Sequence, residues 1–237
     1  MAETDIIPPP HPYYPEGILL SGSNFIPNSL DAVGLVAAFG AGCAVILGST
    51  LLLVKRVNPS LKFTDRALIL WFVLSGTIHL FFEGYFMYNH SRMGSRMDLF
   101  GQLWKEYALS DSRYMLSDPF VLCMETWTAI TWGPLSFLTA VLITKDSPYR
   151  HAIQALVSTG QFYGDFLYYT TSLFDDYFSG RRFYRPEPYY FWFYFVFMNA
   201  FWIIIPLLCL YSSIKASARA FALSSKLAVN GRVKKTL

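Results

Sequence analysis

Five stretches of the chain are nearly free of charge and long enough to cross a bilayer core of about 30 Å as helices: residues 32–54, 67–88, 119–144, 152–174 and 189–214. The first, AVGLVAAFGAGCAVILGSTLLLV, runs between Asp31 and Lys55 without one ionisable oxygen or nitrogen. The other four are equally apolar in bulk but carry isolated polar residues. Alternation of apolar and polar residues in ten-residue units, the mark of a transmembrane β-barrel, is absent. The polar connecting segments are too short to cover this much apolar surface in water. The pattern therefore predicts an all-α integral membrane protein, a single five-transmembrane-helix bundle. Residues 1–31 form a non-cytosolic segment, 32–214 the membrane domain and 215–237 a basic tail. The Pro-rich leader has no basic stretch before the first apolar run, so that run is expected to stay in the protein as a span.

Composition agrees with the pattern. The chain is 54% hydrophobic and 18% aromatic, and its 15% of charged residues compares with roughly a quarter in soluble domains. A net charge of +3, with basic residues scattered over loops and tail, gives no reason to expect a nucleic-acid partner. Cys43, Cys123 and Cys209 stand singly in three different spans, a spacing that suits neither a disulfide framework nor a zinc site.

The distribution of Lys and Arg sets the expected orientation. One side holds Lys55, Arg56, Lys62 and Arg66, the Lys145 and Arg150 pair, and six basic residues beyond Ile214. The other holds Arg92, Arg96, Lys105 and Arg113 in one loop and Arg181, Arg182 and Arg185 in another. Twelve against seven predicts a lumenal N-terminus and a cytosolic C-terminus. The chain ends VKKTL, with lysines third and fourth from the end, as in dilysine retrieval signals, so the expected compartment is the endoplasmic reticulum membrane.

Polar groups inside the spans are costly and therefore informative. His79 and Glu83 lie one turn apart on span 2, and Glu125 and Thr128 share a face of span 3. Asp165 lies on span 4, where Gln161, one turn back, is its expected partner. Asn199 and Trp202 lie three apart on span 5. Counted from the non-cytosolic ends at 1.5 Å per residue, His79, Glu83, Glu125, Asp165 and Asn199 fall in a slab about 8 Å thick. Packing residues have no need to converge in depth, so a shared intramembrane pocket is predicted. No Gly-rich phosphate loop and no HExxH motif is present, and only one of four histidines lies mid-span, which argues against a metal or organic cofactor. What remains is an acid and a base in an apolar cavity beside an indole face. That equipment suits moving a proton from one carbon to another through a carbocation. The substrate of a lipid-embedded pocket is expected to be a lipid.

At these positions the sequence resembles a known family. HLFFEGYF, QLWKEYALSDSRY, CMETWTAITWGPLS, GQFYGDFLY and YFWFYFVFMNAFW, in this order and on different segments, are similar to the emopamil-binding protein family of 3β-hydroxysteroid Δ8,Δ7-isomerases. HPYYPEGI and NFIPN near the N-terminus fit as well. The resemblance implies a five-helix enzyme with an intramembrane sterol pocket, needing no cofactor, that moves a ring double bond from C8=C9 to C7=C8. It implies proton handling by His79, Glu83 and Glu125, cation stabilisation by Trp202, and orientation of the carboxylates by Thr128 and Asn199. Tyr107, Arg113 and Tyr114 are expected in a lid over the pocket, with Asp165 as a further site residue. The implied partners are a Δ8-sterol, cationic amphiphilic drugs as inhibitors, and membrane lipids; a homodimer is allowed. Two other readings fit the residues: a non-catalytic sterol-binding relative, and a proton-coupled transporter, which the lack of internal repeats disfavours.

Overall fold

The computed structural model describes residues 10–22 and 24–235, with side chains to residue 228. Among the described residues the fold is entirely helical. Five long helices carry the chain. Helix α1 is Ala32–Val57. Helix α2 starts at Phe63–Thr77 and continues through a π-helical turn, Ile78–Glu83, into Gly84–Asn89. Two short helices, α3 (Leu99–Tyr107) and α4 (Arg113–Leu116), follow. Helix α5 joins Pro119–Trp127 to Gly133–Thr144 across a second π-helical stretch, Thr128–Trp132. Helix α6 is Arg150–Ser179, and α7 runs from a third π-helical stretch, Tyr190–Phe197, into Met198–Lys235.

The helix ends follow local chemistry. The Asp31 carboxylate accepts from the Gly34 N–H at 2.8 Å and opens α1, while Lys55 and Arg56 in its last turn complement the helix dipole. Asp118 caps α5 by accepting from Val121 N at 3.0 Å, with Pro119 as first helical residue, where its missing N–H costs nothing. Gly180, at φ 64°, ends α6 in the left-handed conformation that glycine adopts freely.

By length and composition, four helical runs can cross a membrane: Ala32–Val57, Phe63–Ser95, Pro119–Thr144 and Tyr190–Ala228. Helix α6, with 30 residues, is long enough but not apolar enough, because it buries Gln154, Ser158, Gln161, Asp165 and Ser172. Hydropathy predicts 152–174 and 189–214 for the last two runs. In the structure α6 extends to Ser179, and α7 continues without a break through the basic tail. The side chains of Lys234 and Lys235, and the last two residues, lie outside the described residues, as do the first nine.

The molecule has two distinct ends. At one, Asn58 Nδ2 donates to Thr144 O at 3.0 Å and Arg150 pairs with Asp65, so the α1–α2 and α5–α6 turns lie together. At the other, α3 and α4 form a cap with the N-terminal segment: Tyr13 OH donates to Lys105 O at 3.0 Å, and Gln102 Oε1 accepts from Ser29 N at 2.8 Å. The segment after α6 lies over this cap, with Ser112 N donating to Phe183 O at 2.9 Å and Arg185 N to Leu109 O at 3.1 Å. Two apolar cores correspond to the two ends, one around Phe86, Trp104, Tyr168 and Phe195, the other around Phe72, Ile143, Val157 and Cys209.

Helices α2 and α5 meet closely where both are π-helical. A Cβ on Gly133 would stand 3.1 Å from Leu80 N, so glycine is what lets the two backbones approach. Gly160 does the same for α5 and α6: a Cβ there would stand 2.3 Å from Cζ2 of Trp132, whose indole lies on α6. Gly164, one turn on, has nothing nearer than Met124 Sδ at 3.9 Å. Alanine gains similar helix propensity at both positions, so the difference between them reads the clash. Gly160→Ala is expected to be less stable than Gly164→Ala by about 1–3 kcal/mol, the usual cost of overpacking. Thermal unfolding in detergent measures this, and equal midpoints would show that Trp132 moves aside freely.

Candidate active site

The two apolar cores leave a gap between Phe72 and Phe86 on α2 and between Val157 and Tyr168 on α6. It is occupied by a cavity of about 530 Å³ walled by all seven helices, α1 to α7. Nine of the ten residues singled out in the sequence line it: His79, Glu83, Tyr107, Tyr114, Glu125, Thr128, Asp165, Asn199 and Trp202. The remainder of the wall is largely aliphatic and aromatic, including Leu35, Phe39, Trp71, Leu74 and Ile205.

Four of these residues sit in or beside π-helical turns. His79 and Glu83 lie within Ile78–Glu83, Thr128 opens Thr128–Trp132, and Asn199 follows Tyr190–Phe197 by two residues. A π turn adds a residue to the helical repeat and re-aims the side chains that follow, which is why such turns recur at functional sites. Trp104 supports the first of them from the cap. Its indole N–H donates to Phe82 O at 2.9 Å, and its ring stacks on Phe82 with centroids 4.5 Å apart.

The polar contacts centre on His79. Its Nδ1 lies 2.8 and 2.9 Å from the two carboxylate oxygens of Glu83, and its Nε2 lies 3.0 Å from Nε2 of Gln161 on α6. The imidazole face lies against Trp202, with ring centroids 4.7 Å apart, and Trp202 in turn packs on Trp71 at 5.0 Å. Glu125, on α5, stands beside Glu83 and accepts a 2.6 Å hydrogen bond from Tyr114 OH of the cap. Burial holds the Tyr114 hydroxyl well above the ordinary phenol range, so it stays protonated and remains a donor to Glu125. Tyr107 is held up in the same way by burial. Its hydroxyl exchanges hydrogen bonds with Asn199, accepting from Nδ2 at 2.8 Å and donating to Oδ1 at 3.0 Å.

Several expected contacts differ. Asp165 was the expected partner of Gln161, yet Gln161 turns to His79, and Asp165 Oδ2 is buried without a protein partner. The reason is reach: the long Gln161 amide spans the interface to α2, where a buried ring nitrogen would otherwise go unpaired. Thr128 and Asn199 do not bond the carboxylates. Thr128 Oγ1 donates back to Met124 O at 2.9 Å, and Asn199 Nδ2 also donates to Phe195 O at 2.7 Å. Both hydroxyl and amide answer nearby backbone or cap groups first. Arg113 is absent from the cavity wall. It is buried in an ion pair with Asp111 at 2.6 Å and reaches α6 through Thr171 Oγ1 at 2.8 Å and Tyr168 O at 3.1 Å. It therefore fastens the cap to α6 rather than covering the pocket.

The structure adds Gln161, Trp71, Tyr168 and Glu106 to the wall. Trp71 was visible in principle, since it stands eight residues before His79, about two helical turns, on one side of α2. Glu106, which accepts from Tyr194 OH at 3.1 Å, carried no such signal because it lies on the cap. Among the described residues, no group of three or more His, Cys, Asp or Glu side chains is arranged to hold a metal ion.

The comparisons with known proteins point the same way. The EXPERA (EXPanded EBP superfamily) profile matches residues 99–213. A 3-beta-hydroxysteroid-Delta(8),Delta(7)-isomerase of Rattus norvegicus is 41% identical over 208 residues, 87% of this chain and 88% of that protein. A protein named probable 3-beta-hydroxysteroid-Delta(8),Delta(7)-isomerase from Oryza sativa is 34% identical over 90% of this chain and 95% of its own length. A protoglabretal synthase of Citrus sinensis is 36% identical over 61% of this chain and 66% of its own. With this identity over nearly the whole length of both chains, the protein belongs to the emopamil-binding protein family of 3β-hydroxysteroid-Δ8,Δ7-isomerases within the EXPERA superfamily.

Proposed function

We propose that the protein is a sterol Δ8,Δ7-isomerase and that the cavity is its sterol pocket. The observation that carries this is the placement of Glu83 and Glu125 side by side, with the His79–Trp202 ring pair beside them, in a largely apolar wall. The naming of its relatives supports the same reaction.

In this reading a carboxylic acid adds a proton to C9 of a Δ8-sterol, and the electron pair of the C8=C9 bond forms the new C9–H bond. The cation left at C8 lies within reach of the Trp202 and His79 ring faces, whose π electrons stabilise positive charge in a dry site. Loss of the C7 proton to a basic group then supplies the pair for the C7=C8 bond. One proton enters and one leaves, so atoms and charge balance without an oxidant or reductant. Cationic amphiphiles place an ammonium where the carbocation forms and so compete with substrate. Tyr114 steadies Glu125 from the cap, and the Tyr107–Asn199 pair closes that end of the cavity.

The same reading takes α6 as the fifth crossing, its polar residues turned away from lipid into the bundle. The cap then lies on the lumenal side of the endoplasmic reticulum membrane and the basic end of α7 in the cytosol. Self-association into a homodimer is compatible with the long lipid-facing surfaces of α1 and α7.

Purified protein given zymosterol in deuterated water should yield the Δ7 product with deuterium at C9. Sterol that binds and is recovered unchanged would instead mark a non-catalytic binding protein. Glu125→Gln and His79→Ala should each lower kcat by about 10²–10⁴, the usual loss on removing a proton-transfer group or the side chain that positions it. Turnover near wild type in either variant, inserted and folded, would remove that residue from the proton-handling set.

A further inference from the structure

Both ring nitrogens of His79 are engaged. Nδ1 faces the Glu83 carboxylate, and Nε2 faces the amide nitrogen of Gln161 at 3.0 Å. An amide N–H₂ only donates, so the Nε2 that receives it must present a lone pair. The proton of the neutral ring therefore sits on Nδ1 and points at Glu83. Gln161 is itself buried, and its Oε1 has no protein partner. Trp202 from α7 packs on the ring, and Glu125 from α5 and Asp165 from α6 are the other titratable groups of these helices in the cavity wall.

We infer that Gln161 is a positioning residue that fixes His79 in the Nδ1–H tautomer, and that this makes Glu83 the group of the pair that handles the moving proton. With Nδ1 donating and Nε2 accepting, the imidazole has no free nitrogen to offer substrate. Glu83, oriented and electrostatically steadied by the Nδ1–H bond, works with Glu125 on C9 and C7. Gln161 touches His79 and not the reacting atoms; it acts through the ring, as the outer partners of metal-bound and catalytic histidines do. The role of Glu83 rests on the isomerase reading, whereas the tautomer does not.

The test uses full-length protein in detergent with ¹⁵N-labelled histidine, the His79 signal being assigned by its loss in His79→Gln. Wild type should show protonated Nδ1 and unprotonated Nε2. Gln161→Leu, which removes the donor, should lose this single tautomer and lower kcat for zymosterol roughly ten- to hundredfold, with KM nearly unchanged. Gln161→Glu, of the same size but with an acceptor facing Nε2, should turn the ring to the Nε2–H form and lose kcat as well. A protonated Nε2 in the wild-type ring would overturn the inference even if neither variant folds. A Gln161→Leu protein that keeps its kcat, or loses it with the tautomer unchanged, would overturn it too. Inert wild-type protein with an Nδ1–H ring would refute the isomerase reading and with it the role of Glu83. Active protein with an Nε2–H ring would refute the present inference alone.

Discussion

A carboxyl group buried among helices, away from water, is tolerated only where other polar groups meet it. The rest of this molecule is arranged around that requirement. Glu83 is met by His79 one turn back on its own helix, and Glu125 by Tyr114 from the cap. The unpaired side of His79 is met in turn by Gln161 from α6. Each of these partners comes from a different element, so the polar cluster holds α2, α5, α6 and the cap in one register. Displacing any of them would leave a donor or acceptor buried and unsatisfied, a cost of about 1–3 kcal/mol for each neutral group and more for a charged one.

The backbone supplies the room for this cluster. Regular α-helices packed through large side chains would keep α2 and α5 about 8–10 Å apart. The π turns at Ile78–Glu83 and Thr128–Trp132, meeting across Gly133, bring the two backbones close and turn polar side chains into the gap. A turn that widens the helix frees carbonyls, and Trp104 donates to one of them, Phe82 O, from the cap. The cap thus has a structural reason to exist beyond covering the cavity. Its own hold on the bundle runs through the buried Asp111–Arg113 pair and the Tyr168 carbonyl, at the edge of the cavity but not in it. A lid that moved with every substrate would have to break the Arg113 bonds to Thr171 Oγ1 and Tyr168 O on α6, so the Arg113 corner is the fixed part of the cap.

Asp165 Oδ2 is a buried polar atom of the cluster without a protein partner, as is Gln161 Oε1, and both residues line the cavity. Sequence spacing pairs Asp165 with Gln161 because the two stand one turn apart on one helix face. The tertiary structure spends Gln161 on His79 instead, because an inter-helix bond satisfies a nitrogen that has no other donor within reach. The same logic redirects Asn199 to the Tyr107 hydroxyl and Thr128 to its own helix backbone. Local spacing thus identified which residues face inward, but not which of them would bond.

What the amino-acid order determines by itself is the all-helical character of the fold, the positions of the long apolar runs and the places along them where polar residues stand. Those follow from local quantities: hydropathy over a span, helical rise and the capping chemistry of Asp31, Asp118 and Gly180. Helix α6 shows the limit, since its inward polar face lowers its hydropathy and its end at Ser179 depends on Gly180 and on the segment folded over the cap. Only the tertiary structure decided that Gln161 belongs to His79, that Trp71 backs Trp202, that Arg113 anchors rather than covers, and that Glu106 reaches the cavity from the cap. Each is a contact between elements distant in the chain, set by how closely glycines and π turns let helices approach, and no periodicity within one helix encodes that distance.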